Sequence, residues 1–118
     1  MPNPVVYFEV IGEDHEALTS FYGDVFGWDI ERAGPGGYSF ARPGDDGITG
    51  GIGGSPGGEA SYQTFYVQVD DLQATLDRVK DVGGRIVMEP TQVSETTDAA
   101  LFEDPEGHTI GVLARRAD

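Results

Sequence analysis

The side chains able to do chemistry are few. The 118-residue chain has no cysteine and two histidines, His15 and His108. Thiolate ligands, thiolate nucleophiles and disulfides are therefore excluded. A facial metal triad needs two imidazoles and a carboxylate converging on one point. His15 falls in the first turn of a predicted helix, where it is expected to face solvent. His108 falls in the turn Asp104-Pro105-Glu106-Gly107-His108, before a predicted strand. The two are not expected to meet. Glu9 is the acid to watch: it sits in the β-rich run Val5–Val10, on the same strand face as Tyr7. There a carboxylate can act as a general base or accept a ligand's hydrogen bond. The bland alternative is a solvated or arginine-paired carboxylate. Tyr7, Tyr38, Phe40, Tyr62 and Tyr66 can line one surface, and aromatic walls with few polar groups suit a planar or apolar small molecule. Gly50-Gly51-Ile52-Gly53-Gly54 lacks the lysine and helix of a phosphate loop, and no Gly-x-Ser-x-Gly elbow is present.

The elements that must hold these residues follow from an internal repeat. A shift of 57 carries Tyr7-Phe8-Glu9-Val10 onto Thr64-Phe65-Tyr66-Val67, Glu13-Asp14 onto Asp70-Asp71, and Val25 and Gly27 onto Val82 and Gly84. Phe40 and Pro43 match Phe102 and Pro105 at a shift of 62. Each half reads as a strand, a helix and three strands. In the first, Val5–Val10 precedes a helix capped by Asp14, carrying Ala17, Leu18, Phe21, Tyr22, Val25 and Phe26 at helical spacing, and closed by Gly27. Trp28–Glu31, Tyr38–Ala41 and Ile48–Ile52 are strand candidates. In the second, Thr64–Val69 precedes a helix capped by Asp70 or Asp71, with Leu72, Leu76 and Val79 on one face and Gly83-Gly84 at its end. Arg85–Met88, Ala100–Glu103 and Thr109–Leu113 follow as strands. Module 1 thus covers about residues 4–53 and module 2 about 61–115, joined by a glycine-rich linker at 53–60. Phe8, Val10, Phe65, Val67 and Val69 are expected on the helix side, and Tyr7, Glu9, Thr64, Tyr66 and Gln68 on the opposite, concave side. Phe8, Phe21, Phe26, Phe65 and Phe102 are assigned to the core, and Trp28 to packing or an interface.

Charge narrows the partners. Lys and Arg number 7 against 21 Asp and Glu, a net charge of −14, which repels nucleic acid and anionic lipid and favours a cationic ligand. Adaptation to high salt is one reading of this balance. The N-terminus lacks a basic segment followed by an apolar run, and no apolar stretch reaches the ~18 residues of a membrane helix. A soluble, cytoplasmic chain is the expectation.

The pattern VVYFEV…DHEALTSFYGDVFGWDIE…GYSF, then TFYVQVDDLQATLDRVKDVGGRIV and LFEDPEGHTIGVL, resembles the vicinal-oxygen-chelate superfamily of glyoxalases, bleomycin-resistance proteins and extradiol dioxygenases. The resemblance covers nearly the whole chain. It implies an α+β fold of two tandem βαβββ modules forming a curved mixed sheet or half-barrel, helices outside. It also implies a divalent metal held by His and Glu on the first and last strands of each module. Carried onto this sequence, those positions are Tyr7, Gly51 (or Gly50), Thr64 and Gly111. None is a good ligand, so no metal and no cofactor are expected.

Three function classes remain. The first is a metal-free small-molecule binding protein of the bleomycin-resistance kind, using Tyr7, Glu9, Tyr38, Phe40, Tyr62, Thr64 and Tyr66, for a ligand that the acidity would make cationic. The second is a lyase- or dioxygenase-type enzyme with an atypical metal set or metal-free acid–base chemistry by Glu9 or Tyr7. The third is a structural or interaction module with a filled pocket. Exposed sheet edges, and the family's habit of two-fold pairing, make a homodimer the expected assembly.

Overall fold

A computed structural model of the chain describes residues 2–34, 36–54 and 61–116. The order of elements is β1 (Val5–Gly12), α1 (His15–Phe26), β2 (Asp29–Arg32), β3 (Tyr38–Arg42), β4 (Gly50–Gly54), β5 (Tyr62–Gln68), α2 (Leu72–Asp81), β6 (Arg85–Gln92), β7 (Thr97–Glu103) and β8 (Thr109–Arg115). The class is α+β, and the βαβββ unit occurs twice. Two compact units result, Val6–Thr64 and Phe65–Asp118 with Met1–Val5.

The first unit orders its strands β2-β3-β4-β1, with β1 parallel to β4 and the other pairs antiparallel. The second orders them β5-β8-β7-β6, with β5 parallel to β8. A parallel pair needs a long crossover, and in each unit the segment between the paired strands supplies it with a helix and two further strands. The helix starts obey the sequence repeat: Asp14 Oδ1 accepts from Ala17 N at 3.0 Å, and 57 residues on Asp71 Oδ1 accepts from Ala74 N at 3.0 Å. Each cap satisfies an amide with no partner inside its helix. Helix α1 closes on Gly27, whose φ of 71° lies in the left-handed region that a side chain disfavours.

Strand β4 is displaced from its expected place: Ile48 and Thr49, expected in it, lie before it. Gly53 and Gly54, expected in the linker, are the last residues of β4; the remaining linker, 55–60, lies outside the described residues. Glycine is a weak strand former by itself, but here both neighbouring strands pair with it, Ile11 and Tyr38 with Gly53.

The second unit has the fuller core: Val69, Leu72, Leu76, Ala100, Val112 and Ala114, with Val67, Ile86 and Phe102 packed against it. Val67 and Val69 therefore face α2, as strand alternation requires. In the first unit Ala41 and Ile52 are fully buried. Three phenylalanines expected in the core are not there: Phe21 is 57% exposed, Phe26 58% and Phe65 41%. The apolar arc of α1 is wider than the strip that packs: Leu18 approaches Gly12, while Phe21, Val25 and Phe26 lie on the outer side. Trp28 is a packing residue, its ring 5.2 Å from Phe8, 5.8 Å from Tyr22 and 5.0 Å from Phe26. No helix of the described residues is long and apolar enough to cross a membrane.

Leu76 is completely buried on the inner face of α2. Leu76→Ala is expected to lower unfolding free energy by about 2–5 kcal/mol through lost transfer energy and a cavity. Urea denaturation checks this; a loss below about 0.5 kcal/mol, the scale of a surface substitution, contradicts the assignment.

Candidate functional site

The site begins with register. Glu9 on β1 and Phe40 on β3 both pair with Gly51 on β4, the strand between them. One step further, Ile11 and Tyr38 both pair with Gly53. Alternation puts these residues on one face of the sheet, and Phe8, Ser39 and Ala41 on the other, toward α1.

The two glycines leave a trough along β4, and Tyr38 lies in it. A methyl group at Gly53 would fall 2.5 Å from Tyr38 Cδ1 and 3.3 Å from Ile11 Cδ1. One at Gly51 would fall inside the Tyr38 hydroxyl and 2.5 Å from the Tyr7 hydroxyl. The Tyr38 O–H donates to Glu9 Oε2 at 2.8 Å, and the Tyr7 and Tyr38 oxygens are 2.7 Å apart. A phenol has one proton to give. With that of Tyr38 committed to Glu9, Tyr7 donates to Tyr38, and the chain runs Tyr7 to Tyr38 to Glu9.

These phenols hold their protons. Burial raises the Tyr38 pKa far above 10, helped by the charge of Glu9 and by its hydrogen bonds. Burial also raises Tyr7, with Glu9 adding to the effect while the Tyr38 hydrogen bond and Arg42 oppose it. Tyr62 is raised by burial and then by the Glu9 charge, so it lies within electrostatic reach of that carboxylate. The Tyr38 and Phe40 rings meet edge to face at 5.9 Å, and the Arg42 guanidinium stands 5.3 Å over Phe40 while Nη2 donates to Glu31 Oε1 at 2.7 Å. Tyr7, Glu9, Tyr38, Phe40 and Tyr62 are all half-buried.

The remaining expected site residues sit differently. Tyr66 is buried, pairs with Gly111 and lays its ring where a Gly111 side chain would be. Thr64 is buried as well. His15, expected in solvent, is buried, with Nε2 2.9 Å from Ser39 Oγ. Its Cβ lies against Gly37 and Gly54, so the first turn of α1 sits on the sheet. His108 is an exposed turn residue whose Nδ1 lies 3.0 Å from Asp104 Oδ2. The backbone N–H of His108 is the main cause holding the Asp104 carboxyl below its usual range. Arg42 was missed by sequence reasoning, although the alternation of Tyr38, Phe40 and Arg42 along β3 carried the signal.

The family's metal does not fit these residues. Gly51 and Gly111 supply no donor, and tyrosine side chains occupy the volumes a ligand there would need. Tyr7 would have to ionise against burial and the Glu9 charge. Among the described residues no group of three or more His, Cys, Asp or Glu is placed to share a metal ion.

Gly51→Ala forces the Tyr38 hydroxyl off Glu9 and is expected to destabilise the fold by about 1–3 kcal/mol, the range for overpacking. Gly54→Ala, whose new methyl meets nothing nearer than 3.8 Å, is the control. Equal melting temperatures for the two variants would contradict the trough. Because the three phenols have folded pKa values above the unfolded value of 10.0, their contribution to stability is complete below pH 10. It declines as pH rises beyond that. Absorbance titration should show them ionising only above the exposed tyrosine range; simultaneous ionisation of all tyrosines near pH 10 contradicts it.

Comparison with known proteins agrees with this architecture. A glyoxylase-like domain-containing protein of Didymella fabae is 29% identical over 118 residues, covering 91% of this chain and 90% of that one. The anthracycline biosynthesis protein DnrV of Streptomyces peucetius is 27% identical over 134 aligned residues, covering 94% of this chain but 46% of its own length. The chain thus spans less than half of that relative. A crystal structure of a glyoxalase/bleomycin resistance protein/dioxygenase superfamily member from Vibrio splendidus has a TM-score of 0.67 at 20% identity, covering 96% of this chain and 99% of that one. Residues 5–112 match the Glyoxalase/Bleomycin resistance protein/Dioxygenase superfamily, and the chain belongs to that family.

Proposed function

We propose that this chain is a metal-independent member of its family that binds a small organic molecule on the aromatic, carboxylate-bearing face of its first unit. One observation carries the reading: the last-strand position Gly51 is filled by the hydroxyls of Tyr38 and Tyr7, which link to Glu9. A site arranged this way offers ring surfaces and hydrogen-bonding oxygens, not a Lewis acid. Half-buried Tyr7, Tyr38, Phe40 and Tyr62 supply apolar area for a planar body, and Glu9 orients it. The name of the relative DnrV, an anthracycline biosynthesis protein, is in keeping with a planar ligand.

The hydrogen-bonded chain favours one alternative. Glu9, joined through Tyr38 to Tyr7, is placed to move a proton, and such a relay suits metal-free acid–base chemistry. Under that reading Glu9→Gln abolishes turnover of a bound compound while leaving its binding in place.

The chain is also proposed to pair with a second copy of itself. Phe21, Val25 and Phe26 present exposed apolar area on α1, and pairing would cover it. Light scattering at physiological salt should return twice the mass of the chain; a monomer mass contradicts the pairing.

A thermal-shift screen of small aromatic compounds tests the binding reading, because a ligand of the native state raises the melting temperature by mass action. Stabilising compounds should perturb the nuclear resonances of Tyr7, Phe40 and Tyr62. Stabilisation with perturbations confined to the second unit, or no stabilisation by any compound, contradicts it.

A further inference from the structure

Arg42 ends β3, the strand that carries Tyr38 and Phe40. Across the β2–β3 pair Asp29 is opposite Arg42, and Glu31 is opposite Phe40. Paired residues of an antiparallel ladder point to the same face, so Arg42 has two carboxylates within reach. Asp29 lies directly across from it, and Glu31 lies one diagonal step away, where long side chains still meet. Among the described residues the guanidinium pairs with Glu31, Nη2 to Oε1 at 2.7 Å, and not with its direct partner. To do so it leans back over Phe40, 5.3 Å from the ring centroid. Its charge is felt as far as Tyr7, where it favours the ionised phenol.

We infer that Arg42 is a two-position lid on the Phe40 ring: seated on Glu31 it covers the ring, and swung to Asp29 it uncovers the ring for a planar ligand. This rests on the binding reading above and assigns the control of access to that face. Register sets the two seats apart. Glu31, Phe40, Gly51 and Glu9 form one row across β2, β3, β4 and β1, so the closed guanidinium lies over the row that holds the glycine trough. Asp29 begins β2 as Arg42 ends β3, so the open seat is at the rim of the face. Exchange between the seats costs little. The Arg42 side chain is 46% exposed and that of Glu31 62%, the setting in which an ion pair contributes least. A guanidinium over an exposed ring adds a second weak attraction. A planar ligand offers the ring a larger contact, and Asp29 offers the displaced cation a carboxylate to replace Glu31.

Calorimetric titration of the full chain with indole, an uncharged planar probe, tests the lid at about 0.05 M salt, where exposed charges are weakly screened. Glu31→Gln removes the closed seat and should tighten indole binding about two- to fivefold, the scale of one exposed ion pair. Asp29→Asn removes the open seat and should weaken binding by a similar factor. Both variants delete one negative charge from the same strand, so a general field effect would move them the same way. On an Arg42→Gln background neither substitution should matter. Without ligand, the ring current of Phe40 should shift the Arg42 side-chain resonances upfield; Glu31→Gln should shrink that shift and Asp29→Asn should keep it. Changes of equal sign in the two variants, or effects that persist without Arg42, overturn the lid and leave small-molecule binding standing. Indole binding to none of the variants, Arg42→Gln included, overturns the binding reading. The resonances then decide the two seats alone, and a shift unmoved by Glu31→Gln overturns the lid.

Discussion

The Tyr38 hydroxyl occupies the space where residue 51 would begin its side chain, and the arrangement of the first unit depends on that contact. A phenol can reach this point only because β4 carries glycine at 51 and 53. It stays there because Glu9, directly across the parallel β1–β4 pair from Gly51, accepts its proton. Half-buried hydroxyls without partners would be unfavourable. With Tyr7 donating to Tyr38 and Tyr38 to Glu9, each phenolic proton is used. The glycines of β4 admit the polar network, and the network fills the space that they leave.

The second unit uses the same position for packing. Glu9 moves onto Tyr66 under the repeat shift of 57, and Tyr66 pairs with Gly111 as Glu9 pairs with Gly51. There the ring itself fills the glycine's space and is buried. One half of the repeat thus keeps a polar chain of three side chains, and the other closes the equivalent place with a single aromatic ring. In both, the last-strand glycine marks a filled place, which is why a family fold persists here on a donor set unsuited to the family's metal.

Much of the fold was legible because it is written in local rules. The strand–helix–strand order, the Asp14 cap, a second cap at Asp70 or Asp71 and the Gly27 stop depend on residues a few positions apart. The inward face of β5 followed from simple alternation. What could not be read depends on packing between distant segments. His15 is buried against Gly37, Gly54 and Ser39, a fact of three dimensions. Phe21 and Phe26 lie outward because α1 packs through a strip narrower than its apolar arc. In the site, alternation placed Tyr7 and Glu9 on one face and left Gly51 without a ligand. It could not show that Tyr38 would reach from β3 into that place, since strand pairing alone brings them together. Arg42 follows Tyr38 and Phe40 at the strand period, and its contact with Phe40 needed only the extension of β3 by one residue.

The claim on which the functional account stands is that tyrosine hydroxyls, and not a metal ion, occupy the last-strand position of the first unit. Elemental mass spectrometry of the purified chain after equilibration with manganese, nickel, zinc and ferrous iron measures this directly. The account predicts far less than one ion per chain after desalting. One tightly retained divalent ion per chain would contradict it.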